Sequence, residues 1–184
     1  MRLFLSLLLC TALATGCQSG SETPAVADST ATADSAPAPA ANSPVTSVEI
    51  AGDDQMRFSL TEFTVPAGAE ITVTLRNAGS LPKETFGHNF VLLQKDADVE
   101  AFLTAAIDEK ENDHIPPARQ GEVIAHSRLL GPGETDTVTF TAPTEPGTYT
   151  YVCSFPGHGT MMRGTMTVVA AEGTAAPADS TTAP

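Results

Sequence analysis

Short runs of alternating or β-branched residues, each cut off by a turn signal, fill the middle of this 184-residue chain and direct it towards a β-fold. Val45–Ala51, Met56–Leu60, Phe63–Val65 and Glu70–Arg76 are such runs, separated by Gly-Asp-Asp and Pro-Ala-Gly. Asn89–Leu93, Val123–Leu130, Asp136–Thr141, Thr148–Cys153 and Thr165–Ala170 continue the series. Period-two alternation is clearest at Thr135–Phe140, which points Val138 and Phe140 inward, and at Thr165–Val169. Many short strands at this spacing predict a two-sheet sandwich. One stretch breaks the pattern: between Gln94 and Gly121, Val99, Phe102, Leu103, Ala106 and Ile107 fall at helical spacing. Asp96 and Asp98 stand near its start, where negative charge suits the helix dipole. The helix is expected to stop before Asn112, and Pro116-Pro117 prevent its continuation. The sandwich thus carries one short helical flap, acidic on its outer side.

The ends are of another kind. Residues 1–16 combine one basic residue, a short apolar run and small residues, which reads as a secretory signal peptide too short to span a bilayer. The following Cys17 is expected to carry a lipid anchor, although Leu13 stands one place further from it than the usual lipoprotein pattern has it. The remainder of 17–44 is rich in Ala, Ser, Thr and Pro, with three charged residues and no aromatic. Such a segment cannot bury enough apolar surface to offset its ordering entropy, so it reads as a disordered tether, and 172–184 as a disordered tail. One folded domain remains, residues 45–171, with no internal repeat.

Charge and cysteine content narrow the function. The chain has 9 basic and 22 acidic residues, a net of −13, and the stretch 45–171 has 8 against 17, a net of −9. That balance excludes nucleic acid as a partner and disfavours anionic lipid surfaces, but suits a basic protein partner. Of three cysteines, Cys10 leaves with the signal and Cys17 is assigned to the anchor. Cys153 is left without a disulfide partner in an oxidising compartment, so it is either buried and inert or occupied by a metal.

The segment Cys153-Ser-Phe-Pro-Gly-His158-Gly-Thr-Met-Met162 decides between these. Taken singly, each residue has an ordinary use: a hydrogen-bonded His, a Met filling core, a Cys acting as a small hydrophobe. Together, a thiolate, an imidazole and a thioether lie within ten residues between two expected strands. A blue copper centre takes one Cys and two His in a trigonal arrangement with a weak axial Met. One loop can supply three of these donors, and Gly87-His88-Asn89, at the start of another strand, is the natural source of the fourth. Met161, next to the thioether, reads as core filling or surface.

The segments GDDQM (52–56), LPKETFGHNFVLL (81–93), VIAHSRLLG (123–131) and CSFPGHGTMMRGTMTV (153–168) resemble those of the azurins, bacterial members of the cupredoxin family. The resemblance runs from about Val45 to Val169. It implies an all-β, Greek-key sandwich with a helical flap and a single type 1 copper ion. His88, Cys153 and His158 would be its equatorial ligands, Met162 the weak axial one and the carbonyl of Gly87 a distant opposite one. It also implies that Asn89 ties the two ligand loops together through Ser154, and that the backbone N–H groups of Asn89 and Phe155 donate to the thiolate. Met56, Phe86, Phe155, Pro156 and Met161 would form an apolar collar around an exposed edge of His158. There a redox protein, such as a c-type cytochrome or a membrane oxidoreductase, would dock on the monomer. The chain departs from azurins in several places. Thr46 and Gly68 stand where a disulfide is usual, Phe90 replaces a core Trp, and Asn77 replaces a non-ligand His. The anchor at Cys17 is similar instead to that of membrane-tethered auracyanins, and Gln18 slightly favours the outer membrane.

The function expected is periplasmic-type single-electron shuttling, not enzymatic catalysis. A copper storage or delivery module is the alternative, although such sites are usually open and rich in paired Met or Cys. A copper enzyme would need a second set of His ligands, and only His114 and His126 remain, both read as non-ligands. A metal-free adhesive sandwich would leave the ligand spacing unexplained.

Overall fold

The computed structural model describes residues 43–171. The signal peptide, Cys17, nearly all of the tether and the tail lie outside the described residues. Among the described residues, eight strands form two sheets. The first contains β1 (Ser47–Gly52), β3 (Glu70–Asn77) and β6 (Thr135–Thr141), in the order β1-β3-β6. The second has the order β2-β8-β7-β4-β5, with β2 at Glu62–Pro66, β4 at Val91–Leu93, β5 at Val123–His126, β7 at Gly147–Val152 and β8 at Arg163–Val169. Pairs β1/β3 and β2/β8 are parallel and the rest antiparallel; the chain crosses between the sheets at every connection except β4–β5 and β7–β8, which pair as antiparallel neighbours within the second sheet, as in a Greek-key sandwich. This is the all-β sandwich that the alternation predicts.

The core follows from the pleat. Ile50, Ile71, Val73 and Leu75 of the first sheet meet Phe63, Val65, Leu92, Tyr151, Met166 and Val168 of the second. Phe90 is fully buried and lies 5.3 Å from the ring of Tyr151, which also meets Phe58 at 5.5 Å and Phe63 at 5.6 Å. Phe90 therefore supplies the aromatic filler expected of it. On the outer face of the first sheet, the Thr72–Thr139 and Thr74–Thr137 hydroxyl pairs approach to 3.4 and 3.2 Å.

All of β4 is buried, because both of its faces are covered. Leu92 points into the sandwich, while Val91 and Leu93 pack with Phe102, Ile115 and Val152 beneath the helical flap. The flap helix, the second of two (α1, Lys83–Phe86; α2, Val99–Ala106), buries Phe102 and Ala106. Asp98 caps it by accepting from the N–H of Ala101 at 3.0 Å. The helix ends before Ile107, which is 52% exposed despite its helical spacing. Beyond Pro116 the chain turns through a 3-10 segment, Pro117–Glu122.

Two local expectations fail for identifiable reasons, and one element forms where none was expected. Met56–Leu60 is not a strand: Asp53 Oδ1 accepts from the N–H groups of Gln55 and Arg57, Met56 turns to a φ of 56°, and only a Gly52–Phe58 bridge remains. The strand expected over Val123–Leu130 stops at His126, after which Ser127 clasps Phe90 through both backbone and hydroxyl. Lys83–Phe86 forms a helical turn that no periodicity announced. Without a disulfide, the start of the domain is held by its backbone: Val45 N–H donates to Thr64 in one sheet, and Thr46 accepts from Thr72 in the other.

Candidate metal centre

Two loops at one end of the sandwich build the site. The first, between α1 and β4, carries Gly87, His88 and Asn89. His88 is held on both sides of its backbone by Leu130, with N–H to O at 3.1 Å and the return bond at 2.7 Å. Asn77, where azurins often have a titratable His, is buried and donates to that same Leu130 carbonyl at 3.0 Å. An amide does this work at any pH. The second loop runs from Cys153, directly after β7, to Met162, directly before β8. Its mouth is closed by Cys153 N–H to Met162 O at 2.9 Å. Inside it, the N–H groups of Met161 and Met162 both turn back to the carbonyl of His158. Gly157 takes the left-handed φ of 83° that this tight turn needs.

The side chains converge. The donor atoms of His88, Cys153 and His158 all lie within 4.8 Å of one another, and all three residues are buried. Nδ1 of His158 is 3.7 Å from the Cys153 sulfur, and the Gly87 carbonyl is 4.0 Å from it on another side. His88 is oriented by its far nitrogen: Nε2 lies 3.0 Å from the carbonyl of Asp53, which can only accept. Nε2 therefore carries the proton, and Nδ1 faces inward with its lone pair, buried and without a partner. Met162 is fully buried, and its thioether methyl and the His88 ring both stand in front of Gly52.

The electrostatics suit a cation. Burial pushes the Cys153 thiol up to about 11, opposed by N–H groups of Asn89 and Phe155 directed at the sulfur. Burial, followed by the neighbouring His88 and His114, pushes His158 down to about 4, and burial likewise lowers His88. The pocket thus presents two neutral imidazoles and a thiol whose charge needs a positive partner. The unpartnered Nδ1 beside a thiol and a second imidazole fits a soft or borderline metal ion.

Around this cluster, Asn89 ties the loops together. Its Nδ2 donates to Ser154 Oγ and to the Asp113 carbonyl, and its Oδ1 accepts from Ser154 N–H, all at 2.8 Å. The His158 ring is framed by Phe86 at 4.5 Å and Phe155 at 4.7 Å. The expected exposed edge of His158 is nearly closed, at 2% accessibility, because these rings cover it. Of the expected collar, Met161 projects furthest, at 60% exposure, with Met56, Phe86 and Pro156 half-buried behind it.

His114 and His126 stay outside the cluster. His126 is exposed. His114 is buried, with Nδ1 2.9 Å from the Ala106 carbonyl and its ring edge-on to Phe155 at 5.1 Å. Its place behind the ligand loop had no signal in the sequence, since the contact joins residues far apart in the chain. Gly159 was also not singled out: a Cβ there would meet Leu103 of α2 at 2.5 Å, so its bare backbone lets the flap close on the loop.

A two-sheet sandwich that brings one buried thiolate and two imidazoles together on loops at one end is the architecture of a blue copper electron-transfer protein, with copper as its cofactor. Comparison with known proteins agrees: the model of copper binding proteins of the plastocyanin/azurin family matches residues 45–169, and the chain belongs to that family. It is 42% identical over 126 residues to the azurin of Bordetella pertussis, covering 67% of this chain and 83% of that one. To an azurin of Pseudomonas aeruginosa it is 40% identical, covering 66% and 84%. The dithionite-reduced auracyanin of Roseiflexus castenholzii superposes with a TM-score of 0.61 at 39% identity, covering 69% of this chain and 99% of that one. An azurin of Methylomonas sp. strain J gives 0.60 at 35% identity, covering 67% and 97%.

Proposed function

We propose that His88, Cys153 and His158 would hold the copper, with Met162 as a weak fourth ligand and the Gly87 carbonyl as a distant fifth. The observation that carries this reading is the buried Nδ1 of His88, left without a partner within 4.8 Å of the other two donors. Bound there, copper would supply one-electron chemistry between Cu(I) and Cu(II). The chain's part is to hold the donors still between the two states. Asp53 fixes the His88 tautomer, Asn89 locks one ligand loop to the other, and the N–H groups of Asn89 and Phe155 stabilise charge on sulfur. Phe86 and Phe155 keep water from the ring of His158.

The chain is a carrier without catalytic activity, and it acts as a monomer. Its partner is a basic redox protein, such as a c-type cytochrome or a membrane oxidoreductase, that docks briefly on the apolar collar. The net of −9 over residues 45–171 supports such a partner. The sequence supports a signal peptide at 1–16, a tether at 17–44 anchored to a membrane through a lipid on Cys17, a domain at 45–171 and a loose tail at 172–184. The protein is then exported and held at the periplasmic or outer face, with the outer membrane favoured.

The test is visible absorption and electron paramagnetic resonance of the purified protein loaded with Cu(II). An intense thiolate-to-copper band with a narrow copper hyperfine splitting, bleached by reductant and lost in Cys153→Ala, is expected. A colourless protein with Cys153 still titratable would overturn the assignment and leave metal delivery as the better account.

A further inference from the structure

Gly52 is the last residue of β1, buried and with a φ outside the left-handed region, so its backbone does not call for glycine. Its position is fixed by pairing opposite Asn77 and by Ala78 N–H donating to its carbonyl at 2.8 Å. The space in front of it is full. A Cβ at residue 52 would stand 2.7 Å from the methyl of Met162, 2.9 Å from Cδ2 of His88 and 3.2 Å from its Cγ. Comfortable carbon–carbon contact is about 3.5–4.0 Å, so any side chain there must displace a neighbour by close to an ångström. Among the described glycines, Gly52 alone faces the side chains of candidate ligands. A Cβ on Gly87 would strike the Lys83 carbonyl and Leu129, and one on Gly159 would strike Leu103.

The two neighbours are not equally able to move. The His88 ring is pinned through Nε2 to Asp53, and its backbone is bonded twice to Leu130. Met162 is anchored only by its backbone, to His158 and Cys153, and its unbranched side chain has three rotatable bonds. The thioether yields first. We propose that Gly52 is a positioning residue of the copper site: by leaving its Cβ space empty, it lets the Met162 thioether lie beside the His88 ring, from where it would reach the metal. This rests on the reading that these residues hold copper. The end of β1 would then serve the site twice, with Gly52 making room for the thioether donor and Asp53 orienting an imidazole one.

The test uses the full chain with Gly52→Ala, Met162→Ala and the double substitution, each loaded with Cu(II). Three things are measured: the relative intensity of the thiolate-to-copper bands, the rhombicity of the paramagnetic spectrum and the reduction potential. Gly52→Ala is expected to shift all three, and to add a clearly smaller shift in the Met162→Ala background, where the methyl it would strike is gone and only the His88 contacts remain. Wild-type spectra and potential in Gly52→Ala would overturn the proposal. So would a shift of the same size in the Met162→Ala background, since the effect would then run through His88. Should Gly52→Ala fail to fold, the double variant is expected to fold, with a metal-free thermal midpoint below that of Met162→Ala only by the remaining His88 contact, and failure of the double variant to fold overturns the proposal. Absence of a thiolate-to-copper band in the wild type is a separate outcome, which removes the copper assignment itself.

Discussion

Replacing Asn89 with Leu should cost far more than its single position suggests, because its amide serves three groups on two other segments. Asn89 is fully buried, as is Ser154, whose N–H and hydroxyl it satisfies, and it also donates to the half-buried Asp113 carbonyl. Leu has the same number of heavy atoms, so the change leaves no cavity, and the extra bulk of its methyls adds to the polar loss. Orphaning a buried donor or acceptor costs about 1–3 kcal/mol. Two such groups on Ser154, with a smaller share from the Asp113 carbonyl that water can reach, give about 3–5 kcal/mol. That is a large part of the roughly 5–15 kcal/mol available to a domain. Ser154→Ala makes the comparison sharp. It deletes one hydroxyl bond while the N–H to Oδ1 bond and the bond to Asp113 survive, so about 1 kcal/mol is expected. Guanidinium unfolding of the metal-free protein measures both by linear extrapolation. A loss below about 1 kcal/mol for Asn89→Leu, or one no greater than for Ser154→Ala, would refute the clamp reasoning.

Further outcomes follow from the same geometry. In the metal-free protein, His158 is held near 4 while an unfolded imidazole titrates at 6.5, so the unfolded chain binds the extra proton between these values. Its contribution is complete above pH 6.5 and is lost as pH falls, by about 2 kcal/mol from pH 7 to 5. His88 acts in the same direction. Unfolding curves across that range should show the decline and His158→Gln should flatten it; a flat wild-type profile would contradict the burial argument. Metal loading at pH 7 should release about one proton, from Cys153, because the imidazoles are already neutral. Calorimetry in buffers of different ionisation enthalpy reads this number, and a value near zero would mean a preformed thiolate. Gly159→Ala should destabilise the domain by about 1–3 kcal/mol, since its methyl would meet Leu103 at 2.5 Å and the Cys153 carbonyl at 2.9 Å. Adding Leu103→Ala should recover part of the lost thermal stability but not all, because the backbone contact remains.

Much of this protein was legible in its sequence because the relevant signals are local. Alternation such as Thr135–Phe140 needs only the period of a strand, and the Cys153-to-Met162 spacing needs only one loop. Even His88 could be named, because one donor was missing and Gly87-His88-Asn89 stood at a strand start. What failed was decided by side chains acting across the fold or on the backbone. Asp53 captured the N–H groups that a strand at Met56–Leu60 would have used. Phe86 and Phe155 closed over a ring edge that was expected to be open. The full burial of β4 came from a flap lying on its second face. The sequence by itself determined which donors this chain possesses and that a β-sandwich would carry them, since composition and period are properties of neighbouring residues. Only the tertiary structure decided that the Nδ1 of His88 is the buried, unpartnered nitrogen beside the other two donors. That choice rests on the carbonyl of Asp53, 35 residues earlier in the chain, just as the empty Cβ space of Gly52 has meaning only once Met162 and His88 stand in front of it.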